Sequence, residues 1–210
     1  SVTPSDATPD SAAGSGSESP CESEGSGMRL DRPAGRRSCK TGTAYGVEVS
    51  GQGGDWVHIC DQERAPHFRQ DMTWLRALAE SERVMLANEI SQKLRTAAAG
   101  RLSYGPNGDV ELMRRSQVVM EIRLGGYTGE TDGHGQPVRH LVRIYFTEPI
   151  EAQGYLVTLG IKAKVPGPLG LDEQDKHVAE MDARVSSFEL WLAAQGITMD
   201  AYCFGSWCQG

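Results

Sequence analysis

Three runs in the second half of the chain alternate apolar and polar residues with a period of two: "VVMEIRL" (118–124), "VRHLVRIYFT" (138–147) and "GYLVTLGIKAK" (154–164). A period of two is that of a strand with one buried face. The linkers between them are short and polar, which predicts an antiparallel meander, with residues 125–137 reading as a long flexible loop. Upstream, "HFRQDMTWLRALAE" sets Phe68, Met72, Leu75 and Leu78 at helical spacing. "SERVMLANEISQKLRTAAAG" does the same with Val84, Ala87, Ile90 and Leu94, with Ser81 placed as N-cap and Gly100 as stop. The tight connection predicts an antiparallel α-hairpin. A short β-type run, "WVHIC" (56–60), precedes it. A last helix is predicted from Asp172 to about Ala194, lined by Val178, Met181, Val185, Phe188 and Leu192 and ended by Gly196. The resulting order, β-αα-βββ-α, is that of an α+β layer fold: N-terminal strand, α-hairpin, three-stranded meander and C-terminal helix.

Residues 1–27 are Ser, Gly, Pro and acid with almost no large apolar side chain, a composition that predicts disorder. Residues 28–54 stay glycine-rich, with "AYGVEV" (44–49) as a weak strand candidate. The expected division is an extension over 1–54, a folded domain over 55–196 and a tail over 197–210. No apolar run approaches the roughly 18 residues of a membrane span, and no signal-peptide pattern is present. Five cysteines, an odd number scattered over 210 residues, argue against a disulfide framework and fit a reducing cytoplasm. "CFGSWC" (203–208) is half of a zinc pattern with no second half. The net charge of −7 disfavours non-specific binding of nucleic acid by the whole chain but leaves room for a local basic patch.

Such a patch emerges when the strands are sorted by parity. Val118, Met120, Ile122 and Leu124 share one side with Val142, Ile144, Phe146, Val157, Leu159 and Ile161. The other side carries Glu121, Arg123, Arg139, Leu141, Arg143, Tyr145, Leu156, Thr158, Lys162 and Lys164. With the strands in register and the helices on the apolar side, this second face is expected to be open and cationic.

From "WVHIC" to Leu192 the succession of "FRQDMTWLRAL", "VVMEIRL", "LVRIYFT", "LVTLGIKAK" and "DEQDKHVAEMDAR" resembles the RelE/ParE superfamily of bacterial toxins, above all its RelE- and HigB-like ribonucleases. The resemblance implies the toxin of a type II toxin–antitoxin system, a cytoplasmic, ribosome-dependent mRNA endoribonuclease held in check by a small helix-turn-helix antitoxin. Its partners would be the ribosome and mRNA, with no membrane and no metal or other cofactor. The ribose 2′-OH would attack the adjacent phosphate while cations stabilise the phosphorane. Carried over by position, Arg143, Lys162, Lys164 and His177 would be catalytic, with Arg143 as the phosphate clamp and His177 as acid or base. Arg123, Arg139 and Tyr145 would hold RNA, Tyr145 by stacking on a base.

Other assignments stay open on the residues alone. Arg143 could pair with Glu121 across the face, Lys162 and Lys164 could be a solvated strand end, and His177 a surface histidine. Tyr145 could pack under a loop, and parity turns His140 to the apolar side. Glu121 stands where some relatives have a lysine, and residues 125–137 could cover the cationic face. A ParE-like gyrase inhibitor and an inactive interaction module of the same fold are the alternatives.

Overall fold

The computed structural model describes residues 40–44, 47–49, 51, 53–61, 63–149 and 151–205. The tract read as disordered, and Cys21, Cys39 and Cys208, lie outside the described residues. The elements are β1 (Lys40–Ala44), β2 (Val47–Val49), β3 (Asp55–His58), α1 (His67–Asp71), a 3-10 helix (Met72–Ala77), α2 (Glu80–Ala98), β4 (Leu102–Ser103), β5 (Val110–Leu112), β6 (Met120–Thr131), β7 (Pro137–Thr147), β8 (Tyr155–Lys164), α3 (Pro168–Gln195) and α4 (Met199–Phe204). The expected α+β architecture is present. The main sheet runs β3-β8-β7-β6-β5, antiparallel except for β3, which lies parallel to β8. β1 pairs with β2 and, in parallel, with β4.

Among the described residues, helices pack on both faces of the sheet, which corrects the expected one-sided arrangement. On one side α2 packs Leu86 and Ile90 onto Ile122, Leu124, Val142 and Ile144. On the other, α3 packs Val178, Met181, Val185, Phe188 and Leu192 onto Tyr145, Val157 and Leu159. Each such side chain contributes about 2 kcal/mol on burial, so both helices are firmly seated. The apolar stripe of α3, legible in its spacing, covers the face expected to be open.

A β-bulge explains why parity failed in β8. Tyr145 pairs with Gly160 but Phe146 pairs with Thr158, leaving Leu159 as the extra residue. One inserted residue exchanges the faces of everything beyond it. Leu156 therefore joins the α2-side core, while Val157 and Leu159 join the α3-side core. Residues 160–164 keep the expected parity, and the predicted cations lie there.

Residues 125–137 are not a loop. β6 and β7 continue as a two-stranded arm to the pair Thr131 and Pro137, closed by a turn in which Asp132 Oδ1 accepts from the amides of His134 and Gln136, both at 2.8 Å. Tyr127 fastens the arm by stacking between Trp74 and His140, with centroids at 5.1 and 5.0 Å. Helix ends also differ in detail. α2 starts at Glu80 behind Ala79 rather than at Ser81, and α3 starts at Pro168, four residues before Asp172, where proline's fixed φ suits a first turn. Gly100 and Gly196 end α2 and α3 in the left-handed conformation, φ +68° and +64°.

Cys60 is disulfide-bonded, whereas Cys203 is free and buried, its thiol pushed up to about 12 by burial. The expectation of uniformly reduced cysteines does not hold for Cys60, whose bond no spacing rule signals. Among the described residues no helix is long and apolar enough to cross a membrane.

Candidate functional site

The strand register sets two charged rows on the α3 side of the sheet. Glu111, Glu121 and Tyr145 lie opposite one another in β5, β6 and β7, and Arg123, Arg143 and Lys162 do so in β6, β7 and β8. Like charges directly across strands repel, so the cationic row needs acids beside it. Arg123 pairs with Glu111 through Nη2 and with Glu121 through Nε at 3.3 Å. Arg143 Nε stands 3.5 Å from Glu121 Oε1, an ion pair too long for a hydrogen bond. Its Nη1 donates to the carbonyls of Val142 and Leu124, at 2.8 and 3.3 Å. The pairing of Arg143 with Glu121, left open on sequence grounds, is thus what the structure contains.

Next to these rows, between the β5–β6 edge and the N-terminal half of α3, lies a cavity of about 500 Å³. Arg123, Arg143 and Lys164 line it together with Arg114 and Arg115, and the acids on its wall are Glu111, Glu121 and Asp175. Arg115 bridges to Asp175 at 3.0 Å on the exposed rim. Deeper in, Gln174 links Glu121 and Lys164. Its Nε2 donates to Glu121 Oε2 at 2.7 Å and its Oε1 accepts from Lys164.

Glu121 is 2% exposed and Lys164 8%. Burial raises the carboxyl of Glu121 above its ordinary value, against the pull of Arg143 and Lys164. Burial also lowers the amine of Lys164, with Arg143 and Arg123 adding to that and Glu121 opposing it. The two groups are drawn toward each other in proton affinity, as in sites that exchange protons.

The remaining expected residues lie elsewhere. Lys162 is held by Asp71 at 3.1 Å and Glu180 at 2.9 Å, and it does not line the cavity. Tyr145 is fully buried under α3 in edge contact with His177, centroids 6.1 Å apart, so it has no face free for a base. Burial, then Lys162, lowers the imidazole of His177, whose Nδ1 is buried without a partner. Arg139 is exposed on the arm. The expected single constellation therefore divides: Arg123, Arg143 and Lys164 share a cavity, and Lys162, His177, Tyr145 and Arg139 do not line it.

Arg114, Arg115 and Gln174 also line the cavity, beyond the residues expected from the sequence. The doublet "RR" before the first meander strand was a visible signal. Gln174 gave none. Among the described residues, no group of three or more His, Cys, Asp or Glu side chains is placed to hold a metal ion. Chemically, the cavity offers point charge from Lys164, bidentate donors from the arginines and a buried carboxyl that can donate a hydrogen bond when protonated. Compared with protein-family models, curated proteins and solved structures, the chain gives no match.

Proposed function

We propose that this chain binds a compact anionic group, a phosphoryl or carboxylate, in the cavity between the β5–β6 edge and α3. The observation that carries this is the local charge. Five cations and three acids line one cavity, a surplus of two positive charges in a chain of net charge −7. Lys164 and the arginines would meet the anion, and Glu121 would tune its affinity through Gln174. The raised proton affinity of Glu121 and the lowered one of Lys164 support a site that responds to the charge of a bound oxyanion.

The mRNA endoribonuclease implied by the toxin resemblance is the second reading, favoured by the convergence of Arg123, Arg143 and Lys164. The ribosome, mRNA and antitoxin as partners belong to it. The ion pairs on these cations and the dispersal of Lys162 and His177 count against it. So does the disulfide at Cys60, a bond rare in a reducing cytoplasm.

Titration of the full chain with inorganic phosphate, followed by amide and side-chain NMR, tests the proposal. Saturable shifts at Arg123, Arg143, Lys164 and Gln174 are expected, and their absence would refute it. In a parallel arm, RNA incubated with translating ribosomes and the chain should stay intact. Cleavage leaving cyclic phosphate ends, lost in Arg143→Ala, would establish the ribonuclease instead.

A further inference from the structure

The C-terminal half of α3 lines a second cavity, of about 560 Å³, against the segment that joins β3 to α1. Its character is opposite to that of the first. Asp61 and Glu63 come from the joining segment, while Glu180, Arg184, Phe188 and Trp191 come from α3. Three carboxylates thus face one guanidinium. Arg184 is turned to acids already, donating to Asp71 at 2.7 and 2.9 Å and to Glu180 at 2.5 Å. Asp61 accepts from the Ala65 amide and the Gln70 side chain, which hold its carboxyl below the usual range and so ionised near neutral pH. His67 completes the lining as a neutral group, since burial and then Arg184 lower its imidazole.

The wall is aromatic. Phe188 and Trp191 stack with centroids 5.9 Å apart and 17° between planes, and Tyr202 braces Trp191 edge-on at 6.1 Å. An indole face beside ionised carboxylates attracts a positive charge twice, through its quadrupole and through Coulomb attraction, and repels an anion. We infer that this cavity binds an organic cation: a protonated amine carried on a flat apolar body, the ring against Phe188 and Trp191 and the ammonium toward Asp61 and Glu63. The inference is independent of the anion cavity and survives its failure.

Three ligands of one shape test it: benzylamine, benzyl alcohol and benzoate, each titrated into the full chain. The readout is the indole N–H resonance of Trp191, assigned by its absence in Trp191→Phe. Benzylamine should shift it saturably and bind about tenfold more tightly than benzyl alcohol, with benzoate weakest. Glu63→Gln, an exposed rim change that leaves the fold alone, should weaken benzylamine about threefold and leave benzyl alcohol unchanged. Equal affinities for the three ligands, no saturable shift, or indifference of benzylamine to Glu63→Gln would each overturn the inference.

Discussion

Asp71 and Arg184 meet in a two-pronged ion pair, Oδ2 to Nη1 at 2.7 Å and Oδ1 to Nη2 at 2.9 Å. The pair joins a five-residue helix to the middle of α3 at the point where the pairing of β3 with β8 has ended. Asp71 Oδ2 also accepts from the Ile161 amide at 3.2 Å, and Arg184 Nη1 donates to the Leu159 carbonyl at 2.7 Å. Two side chains thus do the work of a missing strand and hold α3 over the charged rows.

Asp71→Asn should therefore destabilise the chain by about 2 kcal/mol, because it leaves a mostly buried guanidinium with the partly exposed Glu180 as its remaining acid. Burial alone would raise the carboxyl of Asp71, but Arg184 and Lys162 hold it below its ordinary value. A lowered folded-state value means the contribution is complete above the unfolded value and is lost as pH falls through the folded one. Chemical denaturation of both proteins should show a constant gap near neutral pH that closes only below the ordinary aspartate value of about 3.9. A gap that widens in acid would contradict this.

Gly160 lies beneath the same pair. A Cβ there would sit 2.4 Å from Asp71 Oδ2 and 2.5 Å from Arg184 Nη1, with Met181 at 3.0 Å. Gly160→Ala should cost about 2 kcal/mol as an overpacked site. The double change with Asp71→Asn should cost less than the sum of the two, since both act on one contact. Additive costs in a double-mutant cycle would show the contacts to be separate.

The hydroxyl of Tyr145 is buried without a hydrogen-bond partner, and burial raises its ionisation well above the ordinary phenol value. An unsatisfied buried hydroxyl gives no net stabilisation. Tyr145→Phe should then leave thermal stability unchanged or raise it by up to about 1 kcal/mol. A clear loss of stability would show that the hydroxyl is engaged.

How much of this was legible in the sequence depended on how local each signal was. The period-two runs located β6, β7 and β8, and the spacing from Val178 to Leu192 located α3, because side-chain direction follows from the backbone within one element. Which face α3 covers is a tertiary fact, and nothing in its stripe distinguishes one side of a sheet from the other. The bulge at Leu159 is silent as well, since every residue around it suits a strand. Lys164 is legible because residues 160–164 keep their parity, and Arg123 and Arg143 because β6 and β7 pair there in the expected register. Glu121 is legible beside them by the same parity, whereas Glu111 reaches Arg123 through pairing between β5 and β6, and β5 is too short to announce itself. Asp71 and Arg184, 113 positions apart, had no signature at all.

Glu121 offers a pH test of the cavity. Arg123, Arg143 and Lys164 surround it on the sheet, with Glu111 from β5 and Gln174 and Asp175 from α3. Because its proton affinity is raised, its negative charge is lost as pH falls toward the ordinary glutamate range of about 4.3, and the cavity becomes more positive. Sulfate, which keeps its own charge over that span, should bind more tightly as pH is lowered from neutral. In Glu121→Gln this gain should be largely gone, with neutral-pH affinity already raised. An identical pH slope in both proteins would remove Glu121 from the site.

The most direct measurement of the anion cavity is calorimetry of sulfate binding to the full chain and to Lys164→Met, which keeps the stem and removes the charge. Loss of one charge-assisted hydrogen bond, about 1.5 kcal/mol, predicts at least about a tenfold weaker affinity in the variant, with an unchanged unfolding midpoint excluding a collapsed site. Equal affinity of the two proteins, or no saturable heat in the wild-type chain, would contradict the account.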